Sequence, residues 1–253
     1  MKSTERMGGM ALFDEEAVRI IVEGGRVTGV ETSKGTYPAD IVVSNAGMRN
    51  TVYLAGKENF PEDYTEEAEG LRDSNAYVTI KYALERKVVP YPVVFYMPHV
   101  APDKVFDYIE KGEPPEEPYI FMPVPTNHDP TLAPEGKQLV IAGTAAPAGA
   151  PDELCNAILD RVHAQVCEIF PDLESAMLWE SRSTGADVRE LTGHRAGECI
   201  GLAQVPGQVG KDRPGHATPV EGLYLVGADA GARGIGTEMA AGSALALGDL
   251  LSP

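Results

Sequence analysis

Cysteine is scarce in this 253-residue chain: Cys155, Cys167 and Cys199 are the only three, and none stands in a C-x-x-C pair. That excludes a disulfide framework and suits a reducing compartment, with small buried hydrophobes as the expected role of the three. Basic residues are also few, 21 Lys and Arg against 38 Asp and Glu, a formal net charge of −17. So acidic a chain is neither a reader of nucleic acid nor a module that docks electrostatically on anionic lipid. Its run of acids from Glu58 to Asp73 reads as a solvated helix face. No apolar run approaches the roughly 18 to 20 residues that span a bilayer, and Met1 to Arg6 lacks the apolar core of a secretory leader. The expectation is a cytoplasmic protein with at most peripheral membrane contact and no transmembrane segment. Five histidines, His99, His128, His163, His194 and His216, are spread along the sequence with no ligand cluster, so no metal site is expected. Ser183, Asp187 and His194 could be written as a triad, yet none sits in a nucleophile elbow.

What the chain does have is concentrated near its end. Leu223 to Val226 is a short apolar run suited to a buried strand, and Gly227, Gly231, Gly234 and Gly236 crowd the turn behind it. A helix of small residues follows from near Gly234 and contains Glu238 to Leu247. Strand, glycine turn and helix in immediate succession let a ligand touch backbone and meet the positive end of a helix dipole. The glycine order is G-x-x-G-x-G, and a strand-turn-helix that merely closes a core would look similar.

A second block lies near the other end. Apolar runs at Val18 to Val22 and Val27 to Val30, turned by Gly24-Gly25 and Lys34-Gly35, predict a β-meander, and Ile41 to Val43 a buried strand after it. Between the blocks, alternation predicts strands at Ala76 to Leu84, Val93 to Met97, Tyr119 to Val124 and Gln138 to Ala142, a mostly antiparallel sheet. Helices are expected over Pro61 to Leu71, Pro102 to Lys111 and Asp152 to Phe170, the last from Leu154, Ile158, Val162, Val166 and Ile169 at helical spacing. Ser183 to Arg189 reads as a loop leading to a short helix, and Gly193 to Pro219 as an extended segment. Phe95, Tyr96, Met97, Phe121 and Met122 either line an apolar cavity or pack in the core.

With "LYLVG" before the glycine turn and "VVSNA" after the meander, the chain resembles the C-terminal half of the phytoene desaturase and amine oxidase superfamily of FAD-dependent oxidoreductases. The resemblance spans about Ala17 to the C-terminus and is patchy from Gly47 to Phe121. It implies an α/β (α+β) fold: residues 1–46 return to the FAD-binding layer, 47–190 form a substrate domain with a mixed or antiparallel sheet, and 191–253 are the C-terminal FAD-binding segment. It also implies that Val18 offers its backbone to the adenine and that Gly234, Ile235, Gly236 and Thr237 face the flavin ring. Asp229 would approach the ribityl hydroxyls, though Ala228 separates it from the strand's glycine where many relatives have none between. Gly227, Gly231 and Arg233 complete the expected cofactor-binding set. The G-x-G-x-x-G unit that opens these proteins does not occur in the chain, which reads as the C-terminal half of a two-part enzyme: a fragment, a shortened gene product, or one subunit whose partner carries the dinucleotide fold. The implied activity is dehydrogenation or isomerisation of an apolar polyene or isoprenoid with FAD as cofactor. An amine substrate, and a non-catalytic binding module without the nucleotide domain, are the alternatives. The isoalloxazine would carry the redox chemistry, and no catalytic side chain is assigned.

Overall fold

The computed structural model describes residues 2–231 and 233–252, which divide into two compact units, residues 1–72 with 204–253 and residues 73–203. The first unit opens with a short helix α1 (Lys2–Arg6), then three strands, β1 (Ala17–Glu23), β2 (Arg26–Thr32) and β3 (Thr36–Pro38), paired antiparallel in that order. Glu23 faces Arg26 across the two-residue Gly24-Gly25 turn, the tight hairpin that adjacent glycines favour. The β1–β2 register skips Val18, leaving it at a β-bulge on the outer strand.

Strand β4 (Val42–Ser44) leaves that meander and pairs in parallel with β10 (Leu223–Leu225), the penultimate element of the chain. Each strand is followed by a helix: α2 (Met48–Ala55) after β4 and α9 (Gly236–Leu251) after β10. Helix α3 (Glu62–Gly70) carries the acidic run and buries only Ala68. Ile20, Val27, Val42, Met48, Val52, Leu223 and Leu225 share this unit's core.

The second unit is built on a five-stranded antiparallel sheet of order β6-β7-β8-β5-β9: β5 (Ala76–Leu84), β6 (Val93–Tyr96), β7 (Ile120–Pro123), β8 (Gln138–Ala146) and β9 (Met177–Ser183). Along β5 the side chains alternate, with Ala76, Val78, Ile80, Tyr82 and Leu84 buried and Tyr77, Thr79, Lys81 and Ala83 on the other face. The buried row packs on α6 (Asp152–Ile169), whose Cys155, Ile158, Leu159, Val162 and Val166 recur at helical spacing. Helices α4 (Asp107–Lys111), α5 (Pro125–His128), α7 (Leu173–Ala176) and α8 (Gly185–Thr192) complete the unit. Among the described residues no helix is long and apolar enough to cross a membrane.

Three sequence expectations need correction, and one open alternative is resolved. Residues 102–111 break into a 3-10 turn at Pro102–Lys104 and the short α4, because Phe106 leaves helical geometry between them. Ser183 to Arg189 is no loop: β9 runs through Ser183, and α8 begins at Gly185 under a capping box in which Thr184 and Asp187 bond each other's backbone. Met122 is in the core at 1% exposure, while Phe95 stacks on Phe121 at 5.0 Å on the more open side of β6 and β7. The terminal helix starts at Gly236, two residues beyond Gly234.

Candidate functional site

Because β4 and β10 run parallel, their C-terminal ends open on the same side, and the residues after each strand meet there. In parallel α/β sheets that is the place where ligands bind, since helix N-termini converge on it. A β-carbon placed on Gly227, the residue two beyond β10, would lie 1.8 Å from Asn45 Oδ1, one residue beyond β4. Gly227 also holds φ of 106°, which side chains rarely adopt, so this crossing needs glycine twice over. Its N–H donates to Ser243 Oγ at 3.0 Å, tying the strand end to a buried position on α9.

The junction of β4 and α2 is held the same way. Thr51 Oγ1 donates to Gly47 O at 2.7 Å, so Ser44 is the donor in the 2.7 Å Ser44–Thr51 contact, and Ser44 Oγ accepts from Ala46 N–H. The cap position of α2 is Gly47, which has no side chain to bond the first helical N–H groups. The Asp229 carboxylate occupies the space above that glycine, 2.6 Å from where a β-carbon would stand. A negative group is favoured at that end of a helix.

Behind the glycine turn lie two side chains that the sequence reading did not select. Arg213 is buried at 6% exposure and its Nη1 donates to Ala228 O at 2.5 Å. Loss of solvent lowers its guanidinium pKa, and the nearby Asp229 carboxylate opposes that shift. His216 bonds Leu225 O through Nδ1 at 2.9 Å, and because a carbonyl only accepts, Nδ1 carries the proton. Its Nε2 lies under Gly231, where a β-carbon would come within 2.2 Å of it. Arg213 Nε and His216 Nε2 are buried without hydrogen-bond partners among the described residues. Both sit in the Gly193 to Pro219 stretch, and only their return beside the turn through the Leu225–His216 and Gly231–Pro214 backbone bonds reveals them.

At the outer end of the turn, Arg233, Gly234, Ile235 and Thr237 are exposed and Gly236 is half-buried. Gly236, at φ 57°, has nothing within 4 Å of a would-be β-carbon. The cap position of α9 is Ile235, whose side chain cannot accept a hydrogen bond, and Glu238 lies in the first turn. The structure therefore gathers Gly227, Asp229 and Gly231 around the two strand ends, with Arg233 to Thr237 leading into α9. Val18 stands apart from the Gly47–Asp229 contact. It lines a cleft of about 330 Å³ with Tyr53, Leu54 and Gly56 from the C-terminal end of α2. Eight residues at 1.5 Å each set the two ends of α2 about 12 Å apart. An elongated ligand could reach both ends, and a compact one could not.

No protein-family model matches the chain. Among curated proteins it is 31% identical over 222 residues to a zeta-carotene-forming phytoene desaturase of Myxococcus xanthus, covering 83% of this chain and 42% of that protein. It is 24% identical over 218 residues to a 4,4'-diapolycopen-4-al dehydrogenase of Metabacillus indicus, with the same two coverages, so it spans about two fifths of the length of these relatives. Its fold is that of an oxidoreductase from Methanosarcina mazei, with a TM-score of 0.70 at 23% identity, covering 98% of this chain and 52% of the other. A cyclohexylamine oxidase of Brevibacterium oxydans gives a TM-score of 0.55 at 12% identity, covering 99% and 51%.

Proposed function

From the premise that the chain belongs to the phytoene desaturase and amine oxidase superfamily, whose C-terminal half it matches, we propose that it forms half of an FAD-dependent oxidoreductase acting on an apolar polyene or isoprenoid. The observation that carries this reading is the shared opening of β4 and β10, where glycine crossings and two orphaned buried nitrogens meet, followed by the N-terminus of α9 with an apolar residue at its cap position. Those features fit a flavin, a flat ring with hydrogen-bonding edges that must approach backbone closely. Residues 191–253 and 1–46 would hold the cofactor: Gly234 to Thr237 against the ring, Asp229 toward the ribityl chain and Val18 toward the adenine. Substrate handling would fall within 47–190.

When bound, the flavin supplies the acceptor for the hydrogens removed from substrate. The chain's own contribution is electrostatic and steric. The N-terminus of α9 places partial positive charge beside the ring edge, and the buried Arg213 adds a full one behind the turn, so negative charge is stabilised there. His216, with its proton on Nδ1, presents Nε2 as an acceptor toward Gly231. In the second unit, a cleft of about 400 Å³ lined by Ala83, Leu132, Leu139, Leu178 and Trp179 offers apolar surface of the kind a polyene requires.

The missing G-x-G-x-x-G unit would come from outside these 253 residues, as a partner subunit or an adjoining stretch. Support comes from faces that stay open in the first unit. Leu245 of α9 is 73% exposed and Leu250 57%, and Ile41 and Val43 lie open beside and on β4, although two-stranded parallel sheets are normally covered on both faces. The test of substrate class is anaerobic mixing of the flavin-loaded assembly with phytoene, and separately with a primary amine. Bleaching of the flavin band by phytoene alone is expected. Bleaching by the amine alone would replace the polyene reading with the amine oxidase one.

A further inference from the structure

Helices α6 and α7 bring three different donor types together in the second unit. His163 and Cys167 are four residues apart on α6 and so share one face a turn apart. Glu174 reaches the same point from α7. His163 Nε2 lies 3.7 Å from Cys167 Sγ and 3.6 Å from Glu174 Oε1, and the three ligand atoms all fall within 4.8 Å of one another. A tetrahedral zinc ion with bonds of about 2.0–2.3 Å sets its ligand atoms about 3.4–3.6 Å apart, close to the two distances from His163, and the exposed Glu174 side chain is free to close on Cys167 as the ion binds. The H-x-x-x-C spacing within a helix was legible in the sequence, but Glu174 joins only through the turn at residues 170–172.

The far side of the imidazole is also arranged for ligation. His163 Nδ1 is 3.1 Å from the hydroxyl oxygen of Tyr82, a fully buried residue of β5, and 3.7 Å from Glu180 Oε2 on β9. A proton on Nδ1 donated to that oxygen fixes the ring and leaves the Nε2 lone pair aimed at the thiol and the carboxylate. Metal-binding histidines are held in just this fashion by an outer partner. We propose that His163, Cys167 and Glu174 form a structural site for a borderline divalent cation of the zinc type, fastening the end of α6 to α7. The mixed nitrogen, sulfur and oxygen donors select against magnesium and calcium, which take oxygen ligands. Glu174 is largely exposed, so solvent can reach the fourth position of such an ion.

The test uses the purified, metal-stripped full chain, titrated with Co²⁺ as a spectroscopic probe and then with Zn²⁺. One equivalent of Co²⁺ should bind with a thiolate-to-cobalt charge-transfer band, and Zn²⁺ should displace it. Cys167→Ser should abolish the band. Glu174→Gln, at an exposed position where folding is undisturbed, should weaken Co²⁺ binding at least tenfold, and Tyr82→Phe by about 10- to 100-fold through loss of the outer partner. Absence of a saturable cobalt spectrum would overturn the site and leave a plain His163–Glu174 side-chain contact. A band that persists in Cys167→Ser, or affinity unchanged in Glu174→Gln, would equally refute this ligand set. None of these readouts depends on flavin.

Discussion

At the scale of single residues, the site rests on glycines that are not equivalent. Gly227 is crossed by Asn45 and holds φ of 106°, whereas Gly236 looks into open space at φ 57°. Gly227→Ala is expected to cost ~1–3 kcal/mol through the forced backbone conformation, read as a lowered thermal midpoint, with Asn45 displaced. Gly236→Ala should cost about 1–2 kcal/mol and leave the chain folded by circular dichroism. The glycine cluster was legible because glycines this dense mark backbone approach. The placement of Asp229 over Gly47 was not, because 182 positions of sequence separate a carboxylate from the helix end it faces. A second residue-scale prediction concerns Glu117, which accepts bonds from Tyr96 Oη, from His99 N–H at 2.7 Å and from the His99 ring. The Tyr96 bond, then the His99 bonds, pull the Glu117 carboxyl down to about 2 from 4.5. A depressed folded-state pKa means that its stabilising contribution is complete above pH 4.5 and is lost as pH falls toward about 2. Thermal midpoints of the wild type and Glu117→Gln should therefore differ at neutral pH and converge near pH 2.

At the scale of elements, the pairing of β4 with β10 forms the shared opening proposed as the cofactor site, and Ser243 fastens it by accepting the Gly227 N–H. Ser243→Ala leaves that buried donor unsatisfied and should cost ~1–3 kcal/mol, with faster hydrogen exchange at Gly227 as the local sign. Strand β5 and helix α6 were readable because burial imposes a strict period on each, two for the strand and 3.6 for the helix. Strand β9 escaped notice because it pairs only with β5, at the sheet edge, and Trp179 and Glu180 within it face solvent. Helix α2 escaped because eight residues with an arginine, an asparagine and a threonine among them carry too little pattern. The parallel β4–β10 pair could not be derived from either strand alone: three residues each, they are matched only by folding together the two ends of the chain.

At the scale of the whole molecule, each unit has its own core, and the first leaves α9 buried along only Met239, Ser243 and Leu247. A helix so apolar around its circumference is normally enclosed. Adding a segment that carries the dinucleotide fold should slow hydrogen exchange along α9 around Leu245 and Leu250, while the centre of β5 is unchanged. No added protection on α9 would mean that such a segment does not pack on this face. The central claim, that the shared opening of β4 and β10 holds the flavin, is tested most directly by the visible absorption spectrum of the chain purified with that segment, as wild type and as Gly236→Val. The account predicts flavin bands in the wild-type assembly and their loss in Gly236→Val, with the far-ultraviolet circular dichroism retained. Equal flavin occupancy in both would contradict it.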